Sequence, residues 1–286
     1  MRLLTARLSA ARRRRFAAPV VLLLALFLTG GTYAALAPAS AESSAADSDT
    51  VEKGRALFLV GCSFCHGEHG EGIVTQDGTQ YGPPLVGVGA AAVDFQVGTG
   101  RMPMVQPGAQ VVVKKTVYNE EETAQLAAFV ASLGPGPSIP EAEQYDPETI
   151  PEDEREESVV RGGQFFRTNC TACHNFAAAG GALPGGKYAP SLTDVDPVHI
   201  YEALITGPQQ MPVFSDEVLK PEEKREIIAY IRAISTQPGY GGSKLGSLGP
   251  VAEGLVGWVV GIGVLVGFAV WIAAHTARTT RRQGDS

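Results

Sequence analysis

Two short stretches of this chain decide its fold: GCSFCHGEHG, from Gly61 to Gly70, and CTACH, from Cys170 to His174. In each stretch two cysteines stand three positions apart, and a histidine directly follows the second cysteine. The chain has four cysteines, so both pairs are complete and none is left over. Three kinds of site use such a pair: a disulfide or dithiol redox site, half of a zinc site, or covalent attachment of c-type haem.

The histidines favour haem attachment. The chain has only five histidines, and one of them follows each cysteine pair. A disulfide or a zinc half-site needs no histidine there, whereas haem c does, because that residue reaches back to the iron as its proximal ligand. The sequence therefore predicts two haem c groups. The predicted cofactor-binding residues are Cys62, Cys65 and His66 for one haem, and Cys170, Cys173 and His174 for the other.

The segments around the two motifs also repeat. KGRALFLVGCSFCH, from Lys53, matches RGGQFFRTNCTACH, from Arg161, and YGPPLVGV parallels YAPSLTDV further along. EEETAQLAAFVASL, which ends at Leu133, parallels PEEKREIIAYIRAI, which ends at Ile234. Both have the apolar spacing of an amphipathic helix, with acidic residues in the first turn where the helix dipole favours them. The sequence predicts an all-α fold with two tandem haem domains.

The remaining iron ligand separates an electron carrier from an enzyme, since a five-coordinate haem binds small molecules and a six-coordinate haem mainly transfers electrons. Met102 stands 36 residues after His66, and Met211 stands 37 residues after His174. Methionine commonly serves in core packing instead. The matching positions in the two repeats favour ligation, with Met104 as a rival in the first loop. The predicted metal ligands are therefore His66, Met102, His174 and Met211.

Other polar residues suggest less specific roles. His69 is predicted to lie on the surface, His199 to be a structural residue of a helix, and His275 to lie at the edge of an apolar segment. The sequence shows no Ser-His-Asp set, phosphate-binding loop or unpaired thiol nucleophile, so no catalytic residue is predicted.

Charge divides the chain into an acidic body and basic ends. The formal net charge is -7, but residues 47–249 carry 27 acidic and 14 basic residues. Such a body is a poor partner for nucleic acid. Between the two domains, the segment from Gly134 to Glu157 is rich in proline and acid, which predicts an exposed linker.

Both ends have features of membrane segments. Arg12 to Arg15 precede an uncharged run from Phe16 to Ala41, which predicts either a cleaved signal peptide or a retained anchor. Gly254 to Ala274 is uncharged over 21 residues, a length that spans a bilayer. Arginines follow this segment, so the tail is predicted to be cytoplasmic and the haem domains extracytoplasmic. Such export suits haem c, which is generally assembled outside the cytoplasm.

The apolar C-terminal segment also contains two overlapping Gly-x-x-x-Gly patterns, which allow close approach of another helix. Glycine is common in membrane helices in any case.

Together these features predict seven regions. They are an N-terminal signal or anchor (1–41), a first haem domain (47–135), an acidic, proline-rich linker (136–158), a second haem domain (159–237), a glycine-rich connector (238–253), a transmembrane helix (254–274) and a basic cytoplasmic tail (275–286).

Each half resembles a class I cytochrome c. The order of Cys-x-x-Cys-His motif, proline loop, methionine and C-terminal helix is that of this family. The resemblance implies that the carbonyl groups of Pro83 and Pro190 orient the two proximal histidines.

The whole chain resembles the dihaem cytochrome c subunit of the actinobacterial cytochrome bc complex. The stretches that carry this resemblance are VGVGAAAVDFQVGTGRMP, CHNF followed by GGAL and GKYAP, LITGPQQMPVFS, and GYGGSKLGSLGPVAEG. The resemblance implies partnership with a cytochrome b subunit, a Rieske iron-sulfur subunit and a haem-copper cytochrome c oxidase. It implies that electrons pass from the Rieske centre to the copper centre of the oxidase. It also places the first domain nearer the oxidase and the second nearer the Rieske centre.

Three alternatives remain at this point. One is a dihaem c subunit of another oxidase or of a periplasmic dehydrogenase, although the cbb-type oxidase subunit is anchored in front of its haem domains. A dihaem peroxidase needs an open haem, which the two matched methionine loops argue against. A purely structural anchor does not explain two complete haem motifs.

Overall fold

In this computed structural model, the backbone is described for residues 17–36, 47–106, 108, 110–236 and 250–283. The chain divides into two compact units, residues Met1–Ala45 and Ala46–Ser286. The described part of the first unit is the helix α1 (Ala17–Leu36), with an apolar stretch from Pro19 to Thr32. The predicted cleavage region and Arg12 to Arg15 lie outside the described residues.

The second unit begins with the first predicted haem domain. Its elements are α2 (Ser48–Gly61), α3 (Ser63–His66), β1 (Ile73–Val74), β2 (Gln80–Gly82), α4 (Ala90–Gly98) and α5 (Glu120–Ser132). The elements of the segment that follows are α6 (Ala142–Tyr145) and a 3-10 turn (Pro147–Thr149). The second haem domain contains α7 (Arg155–Asn169), α8 (Thr171–His174), β3 (Gly181–Leu183), a 3-10 turn (Pro184–Gly186), β4 (Lys187–Ala189), α9 (Pro197–Thr206) and α10 (Pro221–Thr236).

The first and last helices of each domain cross closely, and glycine allows the crossing. A Cβ atom on Gly54 would lie 1.9 Å from the carbonyl oxygen of Gln125, and one on Gly162 would lie 1.9 Å from that of Glu226. These contacts bring α2 against α5 and α7 against α10. The predicted duplication is therefore present in three dimensions as well as in sequence.

Aromatic residues fill the space beside each crossing. Phe58 and Phe129 lie 5.0 Å apart between ring centroids in the first domain, and Phe166 and Tyr230 lie 5.4 Å apart in the second. Phe58 and Phe166 are both almost fully buried. Phe58 and Phe166 belong to the helices that lead into the two Cys-x-x-Cys-His motifs, so the core fixes the position of each motif.

The strands are minor additions to a helical fold. β1 pairs antiparallel with β2, and β3 pairs antiparallel with β4, each in a sheet of two strands. Both short hairpins stand between the haem motif and the proline that follows it. They bring the proline back towards the motif histidine.

The linker differs from its sequence prediction. Its acidic side chains are largely exposed, but Ile150 is 4% exposed and Tyr145 packs against the core of the second domain. Arg225 of α10 donates a hydrogen bond to Thr149 Oγ1 at 3.0 Å and another to the carbonyl oxygen of Glu143. The segment is thus a partly folded extension of the second domain rather than a fully solvated connection.

The C-terminal helix, α11, runs from Pro250 to Gln283. Within it, Ala252–His275 is long and apolar enough to cross a membrane. This range includes the predicted segment from Gly254 to Ala274. The helix continues into the predicted tail, and most of the predicted connector (residues 238–249) lies outside the described residues.

Candidate functional site

Each haem motif forms one tight helical turn. The His66 N–H donates to the Cys62 carbonyl at 3.0 Å, and the His174 N–H donates to the Cys170 carbonyl at 2.9 Å. The next residue leaves the turn with a positive φ, which is 80° at Gly67 and 67° at Asn175. Both cysteines and the histidine of each motif are therefore held on a single turn at the end of a helix that buries one face in the core.

A proline carbonyl orients each motif histidine. His66 Nδ1 lies 2.9 Å from the Pro83 oxygen, and His174 Nδ1 lies 3.0 Å from the Pro190 oxygen. A carbonyl oxygen can only accept, so the proton must be on Nδ1 and the lone pair on Nε2. This tautomer is the one that an imidazole needs to bind a metal through Nε2.

No disulfide joins the four cysteines in the structure. Burial raises the pKa of Cys62 to about 11 and that of Cys170 to about 12, so both thiols are neutral near pH 7. Burial also lowers the pKa of His174, against the opposing effect of its bond to Pro190. The neutral imidazole that burial favours at His174 is the form that can bind a metal.

A cavity in the second domain joins the predicted ligands of the second haem. Cys170, Cys173 and His174 line it together with Met211. Most of the remaining lining is apolar, and His174 itself is 9% exposed. An apolar cavity with two thiols, an oriented imidazole and a thioether matches the requirements of haem c.

The first domain gives a related arrangement. Met102 and Cys62 both pack against its hydrophobic core, where Leu85 and Tyr118 also lie. Met104 is half-buried but does not pack against that core. The packing therefore favours Met102 over Met104 as the methionine that belongs to this site.

Comparison with known proteins identifies the family. A family model described as cytochrome C oxidase, cbb3-type, subunit III matches residues 157–231. The chain is 40% identical to the cytochrome bc1 complex cytochrome c subunit of Mycobacterium leprae, over 90% of this chain and 87% of the relative. It is 41% identical to the same subunit of Corynebacterium diphtheriae, over 93% of this chain and 97% of the relative.

The chain belongs to the family of cytochrome bc1 complex cytochrome c subunits. Its relatives are electron carriers, and the all-α cytochrome c fold predicted from the sequence is confirmed. The chain also matches a solved structure of the Kuenenia stuttgartiensis reducing HAO-like protein complex. That match has 16% identity and a TM-score of 0.35, and covers 64% of this chain and 96% of the other.

In this cytochrome c subunit the first domain also contributes to the cavity of the second. Phe95, Arg101, Gln110 and Val111 all line it. The Gln110 side chain accepts from the Tyr188 N–H at 2.7 Å and donates to the Tyr188 carbonyl at 2.8 Å. These residues carry no signal in the sequence, because the repeat aligns each domain with the other and contains no information about their contact.

The histidines outside the motifs occupy three different environments. His69 is exposed, and its backbone N–H donates to Glu71 Oε2 at 2.8 Å. His275 lies at the end of the apolar stretch of α11, with its ring 5.7 Å from that of Trp271. His199 lies at the contact between α9 and α4, where its Nδ1 is 2.8 Å from Glu202 Oε2.

Burial changes the pKa values of both ionisable residues at this contact. It raises the pKa of Glu202 to about 7, which the bond with His199 only partly opposes. Burial lowers the pKa of His199, but the bond to Glu202 and the charges of Asp94 and Asp196 outweigh it, so this pKa lies above its ordinary value. His199 is therefore more than the structural helix residue that the sequence predicted, since it joins the two domains.

Proposed function

We propose that this subunit holds two haem c groups and carries electrons from the Rieske centre of the bc complex to the copper centre of a haem-copper cytochrome c oxidase. The observation that carries the proposal is the paired geometry of the motif histidines, each bound through Nδ1 to a proline carbonyl at about the same distance. Near full-length relatives named as bc1 complex subunits support the assignment to that complex.

The roles of the residues follow from their placement. Cys62 and Cys65 attach the first haem, and Cys170 and Cys173 attach the second. The Nε2 atoms of the two motif histidines supply the proximal ligands. Haem c would supply a one-electron couple, and methionine ligands from this chain would raise its potential. Those methionines are Met102 and Met211.

Residues of both domains surround the second site. Val111 of the first domain is 8% exposed, lines the cavity of the second, and donates its N–H to Gln209 Oε1 at 3.2 Å. The second site is thus enclosed partly by the first domain. The chain itself transfers electrons only, and quinol oxidation belongs to the complex with its cytochrome b and Rieske subunits.

The membrane helix gives the subunit its place in the complex. Ala252–His275 anchors the chain in the cell membrane, with the haem domains on the extracytoplasmic side and the C-terminus in the cytoplasm. Glycine spacing in this helix suits packing against another membrane helix. The domain boundaries are those predicted from the sequence, except that the first helix of the second domain begins at Arg155, inside the predicted linker.

A second candidate is a dihaem c subunit of another oxidase or of a periplasmic dehydrogenase. The match of residues 157–231 to subunit III of cbb3-type oxidases favours it. That match covers the second domain and little else, whereas the bc1 relatives align over nine-tenths of the chain. The bc complex is therefore the better supported assignment.

The test is purification of the tagged subunit from native membranes in mild detergent, followed by reduced-minus-oxidised spectra and assay of quinol-dependent oxygen uptake. We expect a-, b- and c-type haem bands together, oxygen uptake, and two c-type haems per chain. A c-type band alone would contradict membership of a quinol-oxidising supercomplex. As a control for haem count, the double variant Cys62→Ser and Cys65→Ser should retain one c-type haem.

A further inference from the structure

We propose that Asp94, His199 and Glu202 form a binding site for a divalent transition-metal cation of the zinc class, at the contact between the two haem domains. Asp94 belongs to α4 of the first domain, whereas His199 and Glu202 belong to α9 of the second. One ligand atom from each of the three residues lies within 4.8 Å of the others. This is the one such group of histidine, cysteine and acidic side chains in the described part of the chain.

The spacing of the ligand atoms is close to that of a metal site. His199 Nδ1 lies 2.8 Å from Glu202 Oε2 and 3.9 Å from Asp94 Oδ2. Ligand atoms around a tetrahedral zinc ion, with bonds of about 2.0 Å, stand about 3.3 Å apart. In a coordination shell the first of these distances would lengthen, and the second would shorten, by about half an ångström.

An unsatisfied atom inside the cluster points to a missing ligand. Glu202 is 0% exposed, and its Oε1 atom has no hydrogen-bond partner among the described residues. A buried carboxylate oxygen without a partner is costly, and native structures normally satisfy such atoms. Hydrogen bonding to His199 uses only Oε2. A cation at the centre of the three residues would replace the Nδ1 proton of His199, contact the Glu202 carboxylate including Oε1, and hold that carboxylate in its ionised form.

The ligand types select the class of cation. Mg²⁺ and Ca²⁺ bind almost entirely to oxygen, whereas imidazole with carboxylates suits zinc and its first-row neighbours. The side chains of His199 and Asp94 are 16% and 23% exposed, which leaves access from solvent and room for a water as fourth ligand. Because the ligands come from both domains, the bound cation would tie the domains together.

The test uses the full-length haem-loaded protein in detergent, stripped of loosely bound metal with EDTA and dialysed. Zn²⁺ is titrated in competition with a chromophoric chelator, and the bound metal is measured by inductively coupled plasma mass spectrometry. We expect one Zn²⁺ per chain and a higher unfolding temperature in its presence. Mg²⁺ and Ca²⁺ should give neither effect.

Two variants and a matched control locate the site. Glu202→Gln and Asp94→Asn each remove one ligand charge, and each should weaken Zn²⁺ binding on the order of 100-fold or more. The haem spectrum of each variant shows whether it has folded. If the variant at the fully buried Glu202 does not fold, Asp94→Asn still tests the site. Glu217→Gln makes the same charge change at an exposed position of the second domain and should bind Zn²⁺ as the parent does.

Two results would overturn the proposal. One is the absence of stoichiometric Zn²⁺ binding, which would mean that the two carboxylates are satisfied by a shared proton instead. The other is Zn²⁺ binding of unchanged strength in both ligand variants, which would place the metal at other groups such as the exposed His69. Neither result bears on electron transfer, so the proposed function is tested separately.

Discussion

At the scale of single residues, the two haem motifs show how one hydrogen bond selects a chemical state. The backbone carbonyl of Pro83 or Pro190 cannot donate, so it fixes the proton of the histidine on Nδ1. The same bond fixes the plane of the ring. A free histidine samples both tautomers and many rotamers, so this arrangement would remove much of the cost of ordering the proposed iron ligand.

The first prediction at this scale concerns the methionine of the first domain. Met102→Leu should keep the covalent haem but lose its thioether ligand, so the reduced protein should bind carbon monoxide. The potential of one haem should fall by on the order of 100 mV, within the range that axial ligands span. Redox titration and carbon monoxide difference spectra measure both effects. Met104→Leu is the matched control and should leave both properties unchanged. If Met104→Leu bound carbon monoxide and Met102→Leu did not, the ligand would be Met104 instead.

The residues that sequence could predict differ in kind from those that it could not. Cys62, Cys65 and His66 form a local motif whose chemistry depends on spacing along the chain. Gln110 and Glu202 act through partners in the other domain or in the contact between domains. A single sequence contains no information on which surfaces of two similar domains meet, so those roles needed the structure.

At the scale of secondary-structure elements, the closest contact is the crossing of the first and last helix in each domain. A prediction follows for Gly162, whose added Cβ would meet the Glu226 carbonyl oxygen at 1.9 Å. Gly162→Ala should force the helices apart and destabilise the second domain by about 1–3 kcal/mol. Thermal unfolding followed through the circular dichroism of the haem-loaded protein measures the loss.

The control for this variant is Gln164→Ala on the same helix. Gln164 is exposed, so alanine there adds no contact and should leave stability nearly unchanged. If Gly162→Ala proved as stable as Gln164→Ala, the close crossing would not be needed for the fold. The glycine itself was visible in the sequence as a repeated position, but the identity of its contact was not.

The sequence pattern of the linker predicted its exposed side chains but not its buried ones. Its proline and acidic residues are typical of an exposed segment, and the exposure of most of its acidic side chains agrees with that pattern. Tyr145 and Ile150 are single apolar residues without helical or alternating spacing, so the pattern gave no signal for them. Their burial shows that two anchoring side chains can order a segment of low apolar content.

At the scale of the whole molecule, the contact between the haem domains rests partly on Gln110. Gln110→Ala removes both of its hydrogen bonds to the Tyr188 backbone. Because these bonds are partly solvated, we expect a local loss of about 1 kcal/mol and roughly fivefold faster hydrogen exchange around Tyr188. Mass spectrometry of deuterated peptides measures the exchange rate, and Gln106→Ala, at an exposed position, is the control. Equal exchange in the two variants would show that Gln110 does not hold the domains together.

The orientation of the chain in the membrane is the last prediction. Ala252–His275 is the span, and arginines follow it at positions 278, 281 and 282. Positive residues are retained on the cytoplasmic side, so a peptide tag added after Ser286 should resist protease in intact spheroplasts and be digested in inverted vesicles. The haem domains should show the reverse pattern, with the acidic segment between residues 141 and 157 as a candidate for cleavage. A tag digested in intact spheroplasts would place the haem domains in the cytoplasm, where they could not face a Rieske centre on the outer surface.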